Sequence, residues 1–194
     1  MPRRTIPLIS GEYYHVYNRG NNRQDIFLKR TNYLFYLQQL RKYLIGDAAN
    51  PWVTIVAYCL MPNHFHLLVR LHDDLFSRHM QRLSISYTKV INERYRRVGA
   101  LYQGQFQAIH VDSNDYLLHL SRYIHLNPVA AHIVQRPEDW EFSSYREYAG
   151  LRRGTLVKPG IVIGQFGANE EYSRYVEAYQ PADRAKIKHL LFDE

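Results

Sequence analysis

Four short runs of β-branched, aromatic and other apolar residues predict the strands of this protein. They cover residues 13–17, 52–59, 64–71 and the second half of 101–111. The turn-forming sequence Met61-Pro-Asn63 separates the second run from the third. These two runs are therefore predicted to form an antiparallel hairpin.

Apolar residues spaced by three or four predict helices between and after the strands. Helices are expected at residues 31–45, 75–98 and 115–127, with a short one at 140–148 and one or two more within 169–192. Gly99 is expected to end the second helix, and Asp112-Ser-Asn-Asp115 is an N-cap signal for the third. Pro128 is expected to end the third helix at Asn127 and can open another short helix.

The predicted order β-α-β-β-α-β, followed by helices, is typical of a ferredoxin-like α+β core with an antiparallel sheet. Gly and Pro recur between Gly150 and Gly160, which predicts a loop-rich linker. We therefore predict a first domain at residues 1–150 and a C-terminal helical extension at residues 151–194.

The composition is basic and rich in tyrosine. Lys plus Arg exceed Asp plus Glu by 25 − 18 = 7, the sequence pI is about 9.5, and 17 residues are Tyr. Cations hold phosphates and aromatic rings stack on bases, so the composition favours a nucleic-acid partner, although a merely basic soluble protein also shows it.

Cysteine content and hydropathy indicate the compartment. The single Cys59 excludes an internal disulfide framework and suits a reducing environment. The sequence shows no hydrophobic signal core and no apolar run long enough to span a bilayer. We expect a soluble cytoplasmic protein without a membrane partner, associated with the nucleoid if its partner is DNA.

Two histidines stand two residues apart in the third predicted strand, within His64-Phe65-His66. Side chains two apart on a strand share one face, so both imidazoles lie on one side of the sheet and Phe65 on the other. Two His on one face can hold a divalent metal and leave coordination positions open.

The predicted helix at 115–127 places further polar groups on one face. At 100° per residue, Tyr116, His119 and Asn127 fall within about 40° of Tyr123, whereas His125 falls roughly 160° away. If Tyr123 faces a metal, Asn127 is the better third ligand, and His119 is an accessory ligand or a general base.

Ordinary structural roles are the alternative for each of these residues. A single Tyr usually packs in a core, and Asn127 could cap the helix before Pro128. If the groups do meet, imidazoles with an amide oxygen suit Mg²⁺ or Mn²⁺ acting on phosphate, and Zn²⁺ is chemically possible. We interpret His15 and His110 as structural.

Five motifs in this order resemble one known family. They are Tyr17-Asn-Arg-Gly20, Met61-Pro-Asn-His-Phe-His66, Gln103-Gly-Gln-Phe106, Tyr123-Ile-His-Leu-Asn-Pro-Val129 and Ser143-Ser-Tyr145. The sequence is similar to the REP-associated tyrosine transposases of the HUH (His-hydrophobic-His) superfamily of single-strand nucleases and transposases. The resemblance covers roughly the first 150 residues, which would then form the catalytic domain.

The resemblance implies a function and a fold that agrees with the predicted one. Tyr123 would attack a phosphate in single-stranded DNA and form a 5′-phosphotyrosine link, while His64, His66 and Asn127 would hold the catalytic cation. The substrates would be repetitive extragenic palindromes folded as hairpins. Relatives include dimers and monomers, so the resemblance leaves the oligomeric state open.

Predicted DNA contacts come from three regions of the chain. They are the loop after the first strand, the Gln-Gly-x-Phe turn with Arg122, and a basic stripe on the helix at 75–98 opposite its apolar face. The residues are Asn18, Arg19, Arg23, Gln103, Gln105, Arg122, Arg78, Arg82, Lys89 and Arg96. A solvated polar face is the ordinary interpretation of the stripe.

The chain departs from the family pattern at two positions. Gln105 stands where the family often has a basic residue, and Ala130 where it often has Arg. These two positions concern particular DNA contacts and not the catalytic residues. Two other functions stay open: a structured-DNA-binding protein without catalysis, and a metal-dependent hydrolase in which Tyr123 is structural.

Overall fold

A four-stranded antiparallel sheet carries the fold. The computed structural model describes residues 6–47, 49–180 and 182–188. The strands are β1 (Tyr13–Arg19), β2 (Val53–Met61), β3 (His64–Leu71) and β4 (Gln107–Val111), and they lie in the order β2-β3-β1-β4. Each of the three neighbouring pairs is antiparallel. This is the order of a ferredoxin-like sheet, as the sequence predicts.

Helices cover both faces of the sheet. Helix α1 (Arg30–Leu40), which continues into a π-helical turn at Arg41–Ile45, and α2 (Phe76–Tyr95) pack on one face. Helix α3 (Asn114–Ala130) packs on the other. Alternation along β3 sends Phe65, Leu67 and Val69 towards α1 and α2, and Leu68 towards α3.

Two helix ends differ from the prediction. Helix α2 stops at Tyr95 because Arg96 adopts a left-handed conformation with φ 51° and caps the helix, so Gly99 lies beyond its end. Helix α3 continues through Pro128 to Ala130. It does so because the amides of Ala131 and Ile133 donate to the carbonyls of Asn127 and Pro128, each at 2.9 Å, which keeps the last turn hydrogen-bonded.

The predicted helix at 140–148 is shorter in the structure. Only α4 (Tyr145–Tyr148) is α-helical there, after a 3₁₀ turn at Pro137–Asp139. The segment between them is extended along β2, where Leu60 donates to the carbonyl of Phe142 at 2.9 Å. These backbone bonds to the sheet replace the helical ones.

Three short helices follow α4 in the chain. They are α5 (Gly160–Ile163), α6 (Asn169–Glu177) and α7 (Asp183–Lys186). Helix α5 lies where the sequence predicts a linker, and the end of the predicted helix at 189–192 lies outside the described residues. Val162, Tyr172 and Val176 are buried in one cluster with Leu120 and Ile124 of α3. Among the helices of the described residues, none has both the length and the apolar character needed to cross a bilayer.

A buried histidine joins α3 to this C-terminal segment. His125 is fully buried, and its ring lies 2.7 Å from the hydroxyl of Tyr172 through Nδ1 and 2.8 Å from the hydroxyl of Ser144 through Nε2. Burial lowers the pKa of His125 to about 3, so the ring is neutral at neutral pH. As the helical wheel predicts, this residue points away from Tyr123.

Replacing His125 by phenylalanine is expected to lower the free energy of unfolding by about 2–3 kcal/mol, because two buried hydrogen bonds are lost while their partners stay in place. Urea unfolding followed by circular dichroism measures the change. The matched control is His72→Phe, an exposed position at which we expect a change within about 0.5 kcal/mol. An equal effect of the two substitutions would contradict the proposed anchoring role.

Candidate active site

The two histidines of β3 lie on the sheet face that α3 covers. Their ring centroids are 4.9 Å apart with nearly perpendicular planes, and both side chains are buried. Phe65 between them points to the opposite face and contacts Tyr36. The expected same-face arrangement of His64 and His66 is therefore present.

Helix α3 brings two of its side chains to the histidine pair. The ring of Tyr123 lies edge-on to His66 with centroids 5.6 Å apart, and this residue retains 8% of its accessible surface. One turn further on, Asn127 Oδ1 lies 3.4 Å from His64 Nε2. Because α3 runs past Pro128, Asn127 lies within the helix and does not act as its cap.

A local hydrogen-bond chain fixes the tautomer of His64. The Asn63 side chain donates through Nδ2 to the carbonyl of Arg23 at 3.1 Å, which leaves its Oδ1 as the acceptor facing His64. His64 Nδ1 lies 2.6 Å from that oxygen and must therefore donate to it. The neutral His64 ring then carries its lone pair on Nε2, the atom that faces Asn127.

Burial keeps both imidazoles neutral. It lowers the pKa of His64 to about 4, although the hydrogen bond that the protonated ring would donate from Nε2 to Asn127 Oδ1 acts in the opposite direction. It also lowers the pKa of His66 well below the ordinary value, and the neighbouring His64 and His15 add to this effect. Neutral imidazoles are the form that binds metal ions, so both rings are ready to serve as ligands near neutral pH.

The polar groups around His64 fit a divalent cation. The lone pair of Nε2 and Asn127 Oδ1 face each other, and Asn127 Nδ2 is buried without a hydrogen-bond partner among the described residues. Rotating the amide by 180° would only leave the oxygen unsatisfied instead. Nowhere in the described residues do three His, Cys, Asp or Glu side chains form a group that could hold a metal. The donors that these residues offer to a cation are two imidazoles and one amide.

His15 lies beside the histidine pair, a position that its interpretation as structural did not anticipate. Its Nε2 lies 2.9 Å from His66 Nδ1, the residue is fully buried, and its ring is 6.4 Å from that of Tyr123. Strand register explains this: Tyr17 pairs with His66 and His15 with Leu68, so both β1 side chains point towards α3. In the sequence Tyr13-Tyr-His-Val-Tyr17, the two-residue repeat of a strand places His15 and Tyr17 on one face, and this was the signal available in the sequence. With Nδ1 of His66 occupied, its Nε2 is the nitrogen that can act as a ligand.

The sequence matches a known protein family and one named relative. A family model described as Transposase IS200 like matches residues 9–127, more than half of the chain. The chain belongs to this family. A protein of Haemophilus influenzae (strain ATCC 51907 / DSM 11121 / KW20 / Rd) that is named as a REP-associated tyrosine transposase is 29% identical over 153 residues, which are 65% of this chain and 85% of the relative.

A solved structure has the same fold as this IS200-like chain. It is described as a REP-associated tyrosine transposase bound to a REP hairpin, with a TM-score of 0.63 and 17% identity. The superposition covers 81% of this chain and 98% of the other. The family resemblance and the α+β fold predicted from the sequence are thereby confirmed.

Loss of the His15 ring is expected to weaken metal binding at this site by about 10–100-fold, because a hydrogen-bonded neighbour orients a ligating imidazole. His15→Phe keeps an aromatic ring in the same space and removes the bond to His66 Nδ1. Isothermal titration with Mn²⁺ measures the change, and a melting curve controls for folding. Unchanged Mn²⁺ affinity in a folded variant would contradict this role.

The structure does not bring His119 or Arg122 to the histidine pair. His119 Nδ1 lies 2.9 Å from Arg122 Nη2, and Arg122 is 3% exposed. Its guanidinium pairs with Asp183 of α7 at 2.9 Å and lies over the ring of Tyr175. These contacts direct Arg122 to the C-terminal helices, and its role in DNA binding stays a prediction. The position of His119 in this cluster gives no support to its role as an accessory ligand.

The loop residues predicted to bind DNA lie beside the histidine pair. Arg19 pairs with His64 in the sheet register, and its Nε donates to Gln103 Oε1 at 3.2 Å. Asn18 is buried and donates to the carbonyl of Gly104 at 3.0 Å, so it holds the loop rather than presenting its amide to solvent. Arg23 is exposed.

The basic stripe of α2 lies across the sheet from the histidine pair. Arg78, Arg82 and Lys89 are exposed, as is Arg96 at the helix end. Since α2 packs on the face opposite α3, DNA at the histidine pair could reach the stripe only around the edge of the sheet. Their role in DNA binding stays a prediction.

Proposed function

We propose that this IS200-like protein is a single-strand DNA endonuclease and strand transferase that acts through a covalent tyrosine intermediate and requires a divalent metal. The observation that carries the proposal is the meeting of Tyr123 with His66, and of Asn127 with His64, across the interface between α3 and β3. Family membership supports DNA transposition as the process in which the reaction takes place.

Tyr123 is the nucleophile in this proposal. Its phenol oxygen attacks the scissile phosphorus, and the bond from phosphorus to the 3′-oxygen breaks. The phenol loses its proton and the leaving 3′-oxygen gains one, which leaves a 5′-phosphotyrosine and a free 3′-hydroxyl. Attack by a second 3′-hydroxyl reverses these bonds and joins strands, because the phosphotyrosine conserves the energy of the phosphodiester.

His64, His66 and Asn127 are the residues that would hold the cation, through Nε2 of each ring and the amide oxygen. When bound, Mg²⁺ or Mn²⁺ supplies charge stabilisation at the phosphate oxygens and raises the electrophilicity of phosphorus. The residues themselves contribute orientation: Asn63 fixes the His64 ring and His15 fixes the His66 ring. Such preorganisation reduces the rearrangement needed when the phosphate arrives.

The proposed substrate is single-stranded DNA that folds into a palindromic hairpin. The structural relative is described as bound to a REP hairpin, and we propose a hairpin of the same class for this chain. Arg19 beside His64 supplies a cation for the phosphates near the cleavage point. The exposed Arg23 extends this basic region along the loop after β1.

The proposal is tested with a labelled hairpin oligonucleotide that carries single-stranded flanks. The wild-type protein is incubated with it in Mn²⁺, in Mg²⁺ and in chelator, and the products are separated on a denaturing gel. We expect a labelled protein–DNA adduct that requires metal. Binding without any cleavage indicates a DNA-binding protein that lacks catalysis, and cleavage without an adduct indicates a hydrolase. Either result overturns the proposal.

A further inference from the structure

A buried arginine ties α3, the helix that carries the proposed nucleophile, to the C-terminal helices. Arg122, the residue before Tyr123, keeps only 3% of its accessible surface. Its Nη2 pairs with Asp183 Oδ2 of α7 at 2.9 Å, and its Nη1 donates to the carbonyl of Tyr175 in α6 at 3.2 Å. The guanidinium also lies over the rings of Tyr175 and Tyr179, 4.2 and 5.1 Å from their centroids. One planar group thus contacts α6, α7 and the segment between them.

A further hydrogen bond connects Arg122 to its own helix. Arg122 Nη2 lies 2.9 Å from His119 Nδ1, and because a guanidinium can only donate, this imidazole nitrogen must accept. Burial and the charge of Arg122 lower the pKa of His119, which keeps the ring neutral and able to accept. His119 Nε2 lies in turn 3.6 Å from Asp115 Oδ1, one turn earlier. The guanidinium is therefore held in one orientation relative to α3 as well as to its partners.

The Arg122 contacts lie on the flank of α3 opposite its apolar packing. At 100° per residue, His119 and Arg122 fall about 40° and 100° from Tyr123 on one side. Leu120 and Ile124 fall about 60° and 100° from it on the other side, where they are buried in the core. Apolar packing holds one flank of the helix and the Arg122 contacts hold the other. A roll of α3 that would displace Tyr123 is therefore opposed from both sides.

A gain in stability explains the burial of Arg122 poorly. Its Nε is buried and has no hydrogen-bond partner among the described residues. Taking a guanidinium out of water costs free energy that a buried ion pair often fails to recover, so an apolar side chain could stabilise this interface equally well. An apolar side chain would not fix a direction, however, whereas hydrogen bonds to a planar, forked group define one orientation.

We propose that Arg122 is a positioning residue for the strand-transfer reaction, which fixes α3 against α6 and α7 so that Tyr123 is presented correctly at the histidine pair. Arg122 itself contacts neither substrate nor metal in this role. A misplacement of about 1 Å can cost about 100-fold in rate, so loss of these contacts should slow the chemistry and leave hairpin binding intact. This inference rests on the proposed function for the reaction that Tyr123 performs.

Two substitutions test the role of the Arg122 contacts. Arg122→Lys keeps the positive charge and loses the planar fork, and Asp183→Asn keeps the shape of the partner and loses its charge. The matched controls are Arg174→Lys and Glu177→Gln, which make the same chemical changes at exposed positions of α6. Single-turnover cleavage is measured with saturating hairpin and Mn²⁺, at a temperature well below melting so that each variant is fully folded. Fluorescence anisotropy in chelator measures hairpin affinity.

We expect Arg122→Lys to lower the single-turnover rate by about 10–100-fold and Asp183→Asn by about 10-fold, with hairpin affinity within about 3-fold of wild type. Both control variants should cleave within about 2-fold of the wild-type rate. A merely structural role would lower the melting temperature and leave the rate of the folded protein unchanged. If Arg122→Lys does not fold, Asp183→Asn carries the test, because the side chain of Asp183 is 18% exposed.

Hydrogen exchange supplies a measurement that needs no cleavage. Loss of a contact that restrains a helix increases local opening. The backbone amides of α3 between His119 and Asn127 should therefore exchange several-fold faster in Asp183→Asn than in the wild-type protein, and Glu177→Gln should leave them unchanged.

The positioning role is overturned if folded Asp183→Asn cleaves within about 2-fold of wild type, or if exchange in α3 is unchanged. It is also overturned if Arg122→Lys weakens hairpin binding by about 10-fold or more while Asp183→Asn does not, since Arg122 would then contact DNA directly. Failure of the proposed function gives a different pattern. In that case the wild-type protein forms no adduct in metal, while Asp183→Asn still accelerates exchange in α3.

Discussion

Tyr123→Phe is expected to abolish both the covalent adduct and DNA cleavage, with a fall in rate of at least about 10³-fold, because the variant has no nucleophile at the site. Phenylalanine keeps the ring that lies edge-on to His66 and removes one oxygen. The packing between α3 and the sheet should therefore survive. Single-turnover cleavage of a labelled hairpin with Mn²⁺ measures the rate, and a denaturing gel detects the adduct.

Hairpin binding should change by only a few fold in this variant, since the hydroxyl of Tyr123 is expected to act on phosphorus rather than to provide affinity. A matched control is Tyr116→Phe, which removes a hydroxyl from the same helix face two turns earlier. That control should cleave at nearly the wild-type rate. Cleavage by Tyr123→Phe at a rate within about 10-fold of wild type would assign the reaction to a different nucleophile, and an unstable variant would show itself in the melting curve.

The periodicity within single strands and helices was sufficient to find four residues of the candidate site. The two-residue repeat of a strand places His64 and His66 on one face, and the 3.6-residue repeat of a helix places Tyr123 and Asn127 on another. Each of these relations lies within one element, so no knowledge of packing is needed. The meeting of the two faces came from the family resemblance and from the β-α-β-β-α-β order, which the structure confirms.

Contacts that depend on the pairing of distant elements could not be predicted from the sequence. His15 reaches His66 only because β1 and β3 adopt one particular register, and a shift by one residue would turn it to the other face. Arg122 lies next to the predicted nucleophile in the chain, yet it pairs with Asp183 of α7, which is 183 − 122 = 61 residues further along the chain. Sequence proximity to Tyr123 therefore did not indicate which residues Arg122 contacts.

The course of the backbone near the site also depended on contacts that the sequence pattern does not show. Proline usually ends a helix, but the carbonyls of Asn127 and Pro128 find donors in the following turn, so α3 continues. This extension keeps Asn127 in helical geometry, one turn after Tyr123 and on the same face. The π-helical turn after α1 and the left-handed Arg96 likewise left no clear signal in the pattern of apolar residues.

His64→Ala is expected to remove the metal dependence of the reaction. We expect cleavage at saturating Mn²⁺ to fall by at least about 100-fold, because a ligand whose lone pair is fixed by Asn63 and directed towards Asn127 is lost. Isothermal titration with Mn²⁺ should show a parallel loss of affinity, a readout that does not depend on turnover. Hairpin binding in chelator should change by only a few fold.

His110→Ala is the matched control, since its ring pairs with Glu12 at 2.8 Å and has no contact with the histidine pair among the described residues. That variant should keep both Mn²⁺ affinity and cleavage. His66→Ala should match His64→Ala in metal binding, but a fully buried ring is lost, so its comparison also requires a melting curve. Full metal-dependent cleavage by folded His64→Ala would show that His64 is not a metal ligand. The assignment of Asn127 as a ligand would then also fail, because it rests on the contact with His64.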